Sequence, residues 1–335
     1  MHQGLTESHV IDALRRAFPH DADLHNDAAM HHATSHEIIV CSDNCIEGIH
    51  FHNTDSPKTV VKRFMCRVFS DLAASGAYPT AISLNFMLGS RITLSYITEM
   101  IAHIKDICES DNIRLLGGDT SLLPGETSAF SITALGHTDH RLRRDLAIDG
   151  QLLFVTGTIG DSYLAFMIKS GKLTAPTSAI REYFYAHDES PNARVSCMQT
   201  LCPHIDCAID ISDGLLQDAH NLGLSSNKHT VIHISDIPLS VQACAVLQAC
   251  DSDTRQELLI KMLTWGDDYE VLFTAYPETL LPIKKVQEIH SLPVTCIGYV
   301  GIKKDKNSCV TLIASDGSDI TPSVLGYAHK RIMRK

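Results

Sequence analysis

The sequence predicts a mixed α/β protein with two domains, and two observations carry that prediction. The chain has 335 residues, which is long for one hydrophobic core, so its length favours about two domains. Short apolar runs alternate with longer segments of helical period, and this pattern begins again at Leu152. Residues 137–150, just before that restart, are polar and charged. We therefore expect an N-terminal domain at residues 1–140 and a C-terminal domain at residues 141–335.

In the first half, apolar residues three and four positions apart predict helices, and continuous apolar runs predict strands. The predicted helices are residues 6–18, 59–74 and 95–108. The predicted strands are residues 38–41, 81–88, 115–116 and 130–135. This half therefore mixes strands with two long helices that would cover one face of a sheet.

The second half has the same character. Its predicted strands are residues 152–156, 208–211, 231–234, 271–274 and 294–300. A glycine turn follows the first of these strands, and helices are predicted from Tyr163 and over residues 215–222. No repeat of fixed short period is present, which argues against a solenoid.

The composition excludes several classes of protein. With 44% hydrophobic and 20% charged residues, the chain has the make-up of a globular protein rather than a disordered one. No apolar run approaches the roughly 18 residues that span a bilayer, and the N-terminus lacks the apolar segment of a signal peptide. The net charge of −11 argues against nucleic-acid binding, which needs a basic surface. We expect a cytoplasmic protein with no membrane or nucleic-acid partner.

The 11 cysteines are scattered, and no two of them have the C-x₂-C spacing of a zinc or redox motif. Most have apolar neighbours, where a thiol packs as a small hydrophobic group. Reduced thiols in the cytosol are therefore expected, rather than a framework of disulfide bonds.

Six aspartates lie at the ends of apolar segments or inside them: Asp27, Asp43, Asp71, Asp119, Asp210 and Asp213. A carboxylate at a strand end lies at the rim of a sheet, where a hard cation such as Mg²⁺ finds oxygen ligands. An aspartate in such a place also serves as a turn residue or a helix N-cap, and the residues alone leave both alternatives open. Asp71 has apolar neighbours on both sides, so it needs a cation or a set of hydrogen bonds to offset its burial.

Glycines mark two candidate phosphate-binding turns. Gly117 and Gly118 follow an apolar run, and Gly157 and Gly160 follow the strand at residues 152–156. Bare glycines let a phosphate approach backbone N–H groups, although two glycines also make an ordinary turn. Neither the P-loop pattern nor the dinucleotide-binding G-x-G-x-x-G pattern is present, so neither of those sites is predicted.

These aspartates and glycines belong to motifs that occur in a fixed order. The motifs are Asp27-Ala28-Ala29; Ser42-Asp43 with Glu47-Gly48-Ile49-His50-Phe51; Ser70-Asp71-Leu72-Ala73-Ala74; Gly117-Gly118-Asp119-Thr120; Val155-Thr156-Gly157; Ile209-Asp210-Ile211-Ser212-Asp213-Gly214-Leu215; and Asp268-Tyr269-Glu270. In this order the chain resembles the thiamine-monophosphate kinases of the aminoimidazole-ribonucleotide-synthetase-like superfamily. The resemblance covers nearly the whole chain, from Asp27 to Tyr327. Any one motif is weak, but seven in register are specific.

The resemblance implies both a fold and an activity. The N-terminal domain would bind ATP and Mg²⁺ and pair with its counterpart in a homodimer, and the C-terminal domain would complete the nucleotide and substrate site. The activity would be the Mg²⁺-dependent transfer of the γ-phosphoryl group of ATP to thiamine monophosphate, which gives thiamine diphosphate and ADP.

The resemblance also implies roles for individual residues. The Mg²⁺ ligands would be Asp27, Cys41, Ser42, Asp43, Asp71, Asp119, Asp210 and Asp213. ATP would contact Gly118, Asp119, Arg144 and Ser212. Thiamine monophosphate would contact His50, Asp267 and Tyr327. No general base is expected, because the acceptor phosphate oxygen is already anionic and several Mg²⁺ ions can bring the two polyanions together.

Three positions depart from the family pattern. Asn26 stands where the family has an aspartate, Cys41 replaces a hydroxyl residue, and Asp267 takes the place of a glutamate. Sulfur is a poor ligand for Mg²⁺, so Cys41 would bind the ion best through its backbone carbonyl. Trp265, the only tryptophan, either stacks on the substrate or packs in the core.

Two alternatives to the kinase follow from the same residues. A sibling ATP-dependent enzyme of the superfamily would need a reactive cysteine in an N-terminal glycine-rich loop or at the C-terminus, and residues 1–27 and 332–335 contain none. A binding protein without turnover would account for Asn26, Cys41 and Asp267, but it has no need of six aspartates. The number of Mg²⁺ ions and any requirement for K⁺ stay open.

Overall fold

The structure is a computed structural model that describes residues 7–18, 37–303 and 308–327. Asp27 and Asn26 therefore lie outside the described residues. The chain divides into two compact units, which we describe separately. Unit 1 comprises Met1–Leu72 and Ala77–Asp139, and unit 2 comprises Ala73–Gly76 and His140–Lys335.

Unit 1 contains a four-stranded sheet and three helices. The helices are α1 (Glu7–Ala17), α2 (Pro57–Ala74, whose last two residues belong to unit 2) and α3 (Leu94–Ser110). The strands are β1 (Glu37–Ile46), β2 (Tyr78–Leu88), β3 (Arg114–Leu122) and β4 (Ala129–Thr138). The strand order is β1-β4-β2-β3, with β2 and β3 parallel and the other pairs antiparallel. All seven elements predicted for the first half are present, and each strand is longer than its apolar run.

The core of unit 1 lies on one face of this sheet. On β2 and β4, buried apolar residues alternate with partly buried polar ones, as a sheet with one covered face requires. Phe130 of β4 packs against Phe64 of α2, with 6.1 Å between ring centroids, and stacks on Phe51 at 5.5 Å. The opposite face, which we call the polar face, carries Ser83 and Thr133 among other residues. The prediction that a long helix covers one face of the sheet is confirmed for α2.

Unit 2 contains a six-stranded sheet in the order β10-β7-β9-β5-β8-β6. The strands are β5 (Leu152–Thr156), β6 (Cys207–Ile211), β7 (Lys228–His233), β8 (Glu270–Ala275), β9 (Val294–Ile302) and β10 (Val310–Ile313). Within this sheet, as far as the described residues form it, the pair of β10 with β7 is parallel and the other pairs are antiparallel. The mixed α/β fold class predicted from the sequence is confirmed.

The helices of unit 2 are more numerous than predicted. They are α4 (Asp161–Lys169), α5 (Ser178–Glu189), α6 (Val195–Leu201), α7 (Leu215–Ser225), α8 (Val241–Gln248), α9 (Ser252–Leu263) and α10 (Leu280–His290). Only α4 and α7 follow from the predicted pattern. Along β8 every residue is buried, and Leu272 and Phe273 belong to different hydrophobic clusters. Both faces of the sheet are therefore covered at β8.

The 11 cysteines all lie within the described residues as thiols, seven of them buried and four partly buried. Burial raises the pKa of Cys197 and of Cys207 to about 11, so these two thiols stay protonated at neutral pH. They act as small core residues, as expected. Across the part of the chain that the structure describes, no helix is both long enough and apolar enough to traverse a bilayer.

Candidate functional site

Cys41 and Asp43 lie on β1 and face α2. The thiol of Cys41 donates to the Val68 carbonyl oxygen at 3.3 Å, and Asp43 Oδ2 lies 2.9 Å from Arg67 Nε. Both side chains of the ion pair are mostly covered, with exposed fractions of 17% for Arg67 and 29% for Asp43. A guanidinium therefore neutralises one of the predicted Mg²⁺ ligands. Arg67 itself was not predicted from the sequence, since one arginine in an amphipathic helix gives no signal of its own.

Asp71 lies four residues after Arg67 on α2, and it is partly buried. Residues four apart are neighbours on a helix surface, so Arg67 stands beside both Asp43 and Asp71. By this helical spacing, the two predicted ligands Asp43 and Asp71 lie on the side of α2 that carries Arg67.

Ser42 points to the polar face, because successive side chains of a strand alternate. Its Oγ donates to the Ile132 carbonyl oxygen at 3.1 Å and lies 3.1 Å from Thr133 Oγ1. The side chains of Ser42 and Asp43 therefore lie on opposite faces of the sheet. A single ion cannot be bound by both.

Asp119 also lies on the polar face, near the other edge of the sheet. It pairs with Asn85 of β2, and Ser121 Oγ donates to its Oδ2 at 3.2 Å. Because β1 and β3 are the two edges, the backbones of Asp43 and Asp119 are separated by three strand spacings, on the order of 14 Å. The neighbouring Gly118 is required by packing, since a Cβ there would lie 1.5 Å from the Leu84 carbonyl oxygen.

His50 lies in the turn after β1. Its Nδ1 accepts the Ile46 backbone N–H at 3.0 Å, and its own backbone N–H donates to the Ile46 carbonyl at 2.8 Å. An Nδ1 atom that accepts a hydrogen bond carries no proton, so the neutral ring holds its hydrogen on Nε2. His50 is thus arranged as a neutral hydrogen-bond donor. In the cationic form Nδ1 would also carry a hydrogen, and that hydrogen would point at the Ile46 N–H.

In unit 2, the loop of residues 212–214 follows β6 directly. Asp218 of α7 accepts the backbone N–H groups of Ser212, Asp213 and Gly214 with one oxygen, at 3.1, 3.0 and 3.1 Å. Burial, together with the nearby charges of Asp210 and Asp213, raises the pKa of Asp218 well above its usual range. Asp210 is itself 8% exposed, so three carboxylates meet at this strand end.

Asp218 was missed by the sequence analysis. The available signal was its position on the apolar face of the helix, between Leu215 and Leu222, where an acidic residue is costly unless it is hydrogen-bonded.

Two other segments hold the same loop through its carbonyl groups. The backbone N–H of Asp267 donates to the Ser212 carbonyl at 3.0 Å, and that of Tyr327 donates to the Asp213 carbonyl at 2.9 Å. The structure therefore brings together four of the residues predicted to bind nucleotide, metal or substrate. Gly266 permits this approach, because a Cβ there would lie 2.1 Å from the Ser212 carbonyl oxygen.

Asp267 adopts a left-handed backbone conformation, with φ of +67°, and its side chain is exposed. Tyr269 Oη donates to Asp267 Oδ1 at 2.6 Å. Trp265, two residues earlier, stacks on Phe166 with 4.7 Å between ring centroids and lies 5.3 Å from Tyr163. The tryptophan is therefore a packing residue of the α4–α9 cluster, as the core-packing alternative predicted.

Asp268 is buried beside this segment and holds a proton. Ser162 Oγ lies 2.8 Å from the Gly266 carbonyl oxygen and 2.7 Å from Asp268 Oδ1, yet it has one hydroxyl hydrogen. Two hydrogens are needed for the two contacts, so the second one is carried by Asp268. Burial raises the pKa of Asp268 to about 8, which agrees with this count. The protonated acid thus links Ser162 of α4 to the loop before β8.

Two further buried acids brace the same region. Glu270 accepts from Thr156 Oγ1 at 2.7 Å and from Arg194, which donates to both of its carboxylate oxygens. Asp161 is fully buried and accepts hydroxyl hydrogens from three residues, namely Thr158, Tyr183 and Ser240. Packing therefore explains both glycines of the turn after β5, because a Cβ at Gly157 would lie 1.9 Å from Glu270 Oε1 and one at Gly160 would lie 2.4 Å from Met262 Cβ.

Arg143 and Arg144 differ in their partners. Arg143 makes a two-point contact with Asp145, at 2.9 Å from Nε to Oδ1 and 2.6 Å from Nη2 to Oδ2. The exposed side chain of Arg144 has no recorded hydrogen-bond or ion-pair partner among the described residues, and its backbone carbonyl accepts from Ser226 Oγ at 3.0 Å. Of these two arginines, Arg144 is the one whose guanidinium is available to a ligand.

Comparison with known proteins shows which family the chain belongs to. The family model "AIR synthase related protein, N-terminal domain" matches residues 25–138. A thiamine-monophosphate kinase of Buchnera aphidicola is 30% identical over 264 residues, which cover 78% of this chain and 79% of that protein. The chain belongs to the thiamine-monophosphate kinase family.

Two further comparisons extend this match over more of the chain. A thiamine-monophosphate kinase of Caulobacter vibrioides is 28% identical over 326 residues, covering 96% of this chain and 88% of that protein. The crystal structure of the kinase from Stenotrophomonas maltophilia superposes with a TM-score of 0.78 at 27% identity, covering 95% of this chain and 98% of that one. The predicted superfamily fold is confirmed.

The predicted metal ligands of this thiamine-monophosphate kinase family member are distributed over both units. Cys41, Ser42, Asp43, Asp71 and Asp119 lie in unit 1, and Asp210 and Asp213 lie in unit 2. No three acidic, histidine or cysteine side chains among the described residues are arranged to hold a metal ion by themselves. The donors are nevertheless carboxylates, and Mg²⁺ is commonly bound by one or two carboxylates together with substrate phosphates and water. The residues present fit Mg²⁺ bound in this way.

Proposed function

We propose that this protein transfers the γ-phosphoryl group of ATP to thiamine monophosphate, giving thiamine diphosphate and ADP. The observation that carries the proposal is the loop of residues 212–214, which joins an acidic strand end to two segments with candidate substrate contacts, Asp267 and Tyr327. Family membership over most of the chain supports this activity, because the relatives are named thiamine-monophosphate kinases.

In this proposal the carboxylates would hold Mg²⁺, which when bound would offset the negative charge of the phosphates. The ligands would be Asp27, Asp43, Asp71, Asp119, Asp210 and Asp213, with contributions from Cys41 and Ser42. Because Asp43 and Asp119 lie on opposite faces and opposite edges of one sheet, they would serve different ions. Cys41 would contribute its carbonyl, since its thiol already donates to α2.

The remaining residues would bind and orient the two substrates. His50 would donate from Nε2 to the phosphate of thiamine monophosphate, and Asp267 and Tyr327 would contact the same substrate. Arg144, with Gly118, Ser212 and Asp119, would contact ATP. The acceptor oxygen is anionic at neutral pH, so these residues position it and need not remove a proton.

We also propose a homodimer formed through the polar face of the unit 1 sheet. On the same strand as Ser42, Ile38 and Val40 point to that face and are 38% and 60% exposed. A second copy would cover these apolar side chains. Light scattering coupled to size-exclusion chromatography would give twice the chain mass, and Val40→Glu would shift the protein to the monomer mass. Such an enzyme, with buried reduced thiols, would work in the cytoplasm.

The first experiment is a coupled assay of ADP release with Mg²⁺-ATP and thiamine monophosphate, using thiamine and no acceptor as controls. We expect ADP only with thiamine monophosphate, and thiamine diphosphate in the same amount by chromatography. ADP without thiamine diphosphate would point to a sibling reaction. Saturable ATP binding with no ADP would instead favour a binding protein, for which the ion pair of Arg67 with Asp43 would be a permanent substitute for a metal.

A further inference from the structure

Asp218 stands behind the loop of residues 212–214, and the substrate contacts proposed above do not include it. Its side chain is almost fully buried, with the residue 2% exposed. One carboxylate oxygen accepts three successive backbone N–H groups, and the other accepts from Asn221 Nδ2 at 3.4 Å. Three donors converging on one oxygen fix the orientation of three consecutive peptide groups.

The carbonyl groups of the same loop are fixed from the other side. The Ser212 carbonyl accepts from Asp267, and the Asp213 carbonyl accepts from Tyr327. The loop is therefore clamped between Asp218, which binds its N–H groups, and two segments that bind its carbonyls. Any displacement of Asp218 moves the peptide groups that carry Ser212 and Asp213.

Gly214 makes this arrangement possible. Its φ of +116° is a conformation that residues with a Cβ rarely adopt, and a Cβ there would lie 2.9 Å from the Thr264 carbonyl carbon. The chain can therefore turn directly from the loop into α7, which places Asp218 one turn into the helix and beneath its own loop.

We propose that Asp218 is the positioning residue of the metal-binding loop. Resting on the proposed function, Asp218 would set where the carboxylates of Asp210 and Asp213 meet Mg²⁺ and nucleotide, without itself contacting the ion or the nucleotide. In Asp218→Asn an NH₂ group takes the place of one carboxyl oxygen, so the side chain can no longer accept both from the three backbone N–H groups and from Asn221 Nδ2. Asp218→Asn therefore keeps the shape of the side chain while loosening the loop.

The test compares wild type, Asp218→Asn and the matched control Asp161→Asn. Asp161 is an equally buried carboxylate of the same unit that accepts three side-chain hydroxyls and holds no part of the loop. Mn²⁺ binding is measured by electron paramagnetic resonance, with and without a non-hydrolysable ATP analogue, and the Mg²⁺ concentration for half-maximal turnover is measured alongside. Thermal melts report the stability of each variant.

We expect Asp218→Asn to bind Mn²⁺ about 10- to 100-fold more weakly, the effect typical of a residue that orients a metal ligand. The Mg²⁺ concentration for half-maximal turnover should rise by a similar factor. Asp161→Asn should melt at a lower temperature with its Mn²⁺ affinity within about 2-fold of wild type. Wild-type Mn²⁺ affinity in Asp218→Asn would overturn the inference, even if that variant is less stable.

A second variant and a comparison with turnover keep the test decisive. If Asp218→Asn does not fold by circular dichroism, Asn221→Ala removes the side-chain partner of Asp218 and leaves its carboxyl group in place. A several-fold loss of Mn²⁺ affinity is then expected, and unchanged affinity counts against the inference. If wild type binds Mn²⁺ but makes no thiamine diphosphate, the proposed function fails while the metal comparison still decides the role of Asp218.

Discussion

Arg67 Nε lies 2.9 Å from Asp43 Oδ2, so a protein cation occupies the place beside a predicted Mg²⁺ ligand. If Mg²⁺ binds Asp43 as proposed, the ion and the Arg67 guanidinium would compete for one carboxylate, and the divalent ion would attract it more strongly. On the proposed function, we therefore expect Mg²⁺ to replace Arg67 as the main partner of Asp43.

Replacing Arg67 tests this exchange. We expect Arg67→Gln to lower the melting temperature by about 2–4 °C in EDTA, because it leaves a mostly covered carboxylate without its cation. Saturating Mg²⁺ should remove most of that difference, since the ion takes over as the partner of Asp43. Arg143→Gln, which breaks an exposed pair with Asp145, is the control and should shift neither melt by more than about 1 °C. A Mg²⁺-independent loss in Arg67→Gln would contradict the exchange.

The aspartates themselves give the most direct test of the proposed metal site. Asp43→Asn and Asp213→Asn should each abolish turnover while circular dichroism and the melting profile show an intact fold. Each substitution removes an anionic Mg²⁺ ligand but keeps the side-chain volume. Wild-type turnover in either variant would refute the metal role of that residue.

His50 should act as a neutral donor, and two substitutions separate its two nitrogens. Asn places an acceptor near Nδ1, where the Ile46 N–H donates, whereas Gln places a donor near Nε2. We expect His50→Gln to keep a KM for thiamine monophosphate closer to wild type than His50→Asn, whose KM should rise about 10-fold or more because a hydrogen bond to a charged phosphate is lost. Steady-state kinetics at several pH values measures both. Equal KM values for the two variants would show that Nε2 does not contact the substrate.

Asp268 should make the stability of the protein depend on pH. Its folded-state pKa of about 8 lies above that of an unfolded aspartate, so its stabilising contribution is complete below pH 4 and is lost as the pH rises to 8. Asn can donate to Ser162 as the protonated acid does, but it does not ionise. The melting temperature of Asp268→Asn minus that of wild type should therefore increase between pH 5 and pH 9. A constant difference would mean that Asp268 carries no proton in the folded protein.

Arg144 and Arg143 form a matched pair for testing the nucleotide contact. Arg144→Ala should raise the KM for ATP about 10-fold, because a charge-assisted hydrogen bond to the triphosphate is lost. Arg143→Ala should change it less than 2-fold, since its guanidinium is already bound by Asp145. A larger rise in the KM for ATP with Arg143→Ala than with Arg144→Ala would assign the nucleotide contact to Arg143 instead.

The fold could be predicted from the sequence where hydrophobic period is strong, as in α2 and α3. β1 continues five residues beyond its apolar run at Cys41, because its ladder with β4 extends to the pair of Ile46 with Ala129. Pairing with a neighbouring strand is not visible in a local pattern. Helices α5, α8 and α9 were missed, although Thr177, Ser240 and Asp251 cap them with side chains that accept from the first turn.

For the candidate site, the sequence supplied the residue types but not their arrangement. The family resemblance assigned Ser212 to ATP, Asp213 to Mg²⁺, and Asp267 and Tyr327 to thiamine monophosphate, and the structure brings these four into one hydrogen-bonded group. The partners Arg67, Asp218 and Asp268 were not predicted as site residues. Their importance comes from the carboxylate or backbone group that each one faces, and that depends on packing between distant segments. The roles proposed for all of these residues stay predictions until the variants are measured.

The bond from the Tyr327 backbone N–H to the Asp213 carbonyl joins two segments far apart in the chain. Strands β5 to β10 all precede Tyr327 in the chain, so the ribosome would release them before this bond could form. A nascent chain would therefore carry its acidic strand end with one clamp missing until Tyr327 had emerged. The ordering of this loop would thus be completed after the strands of its sheet have been made, and not together with them.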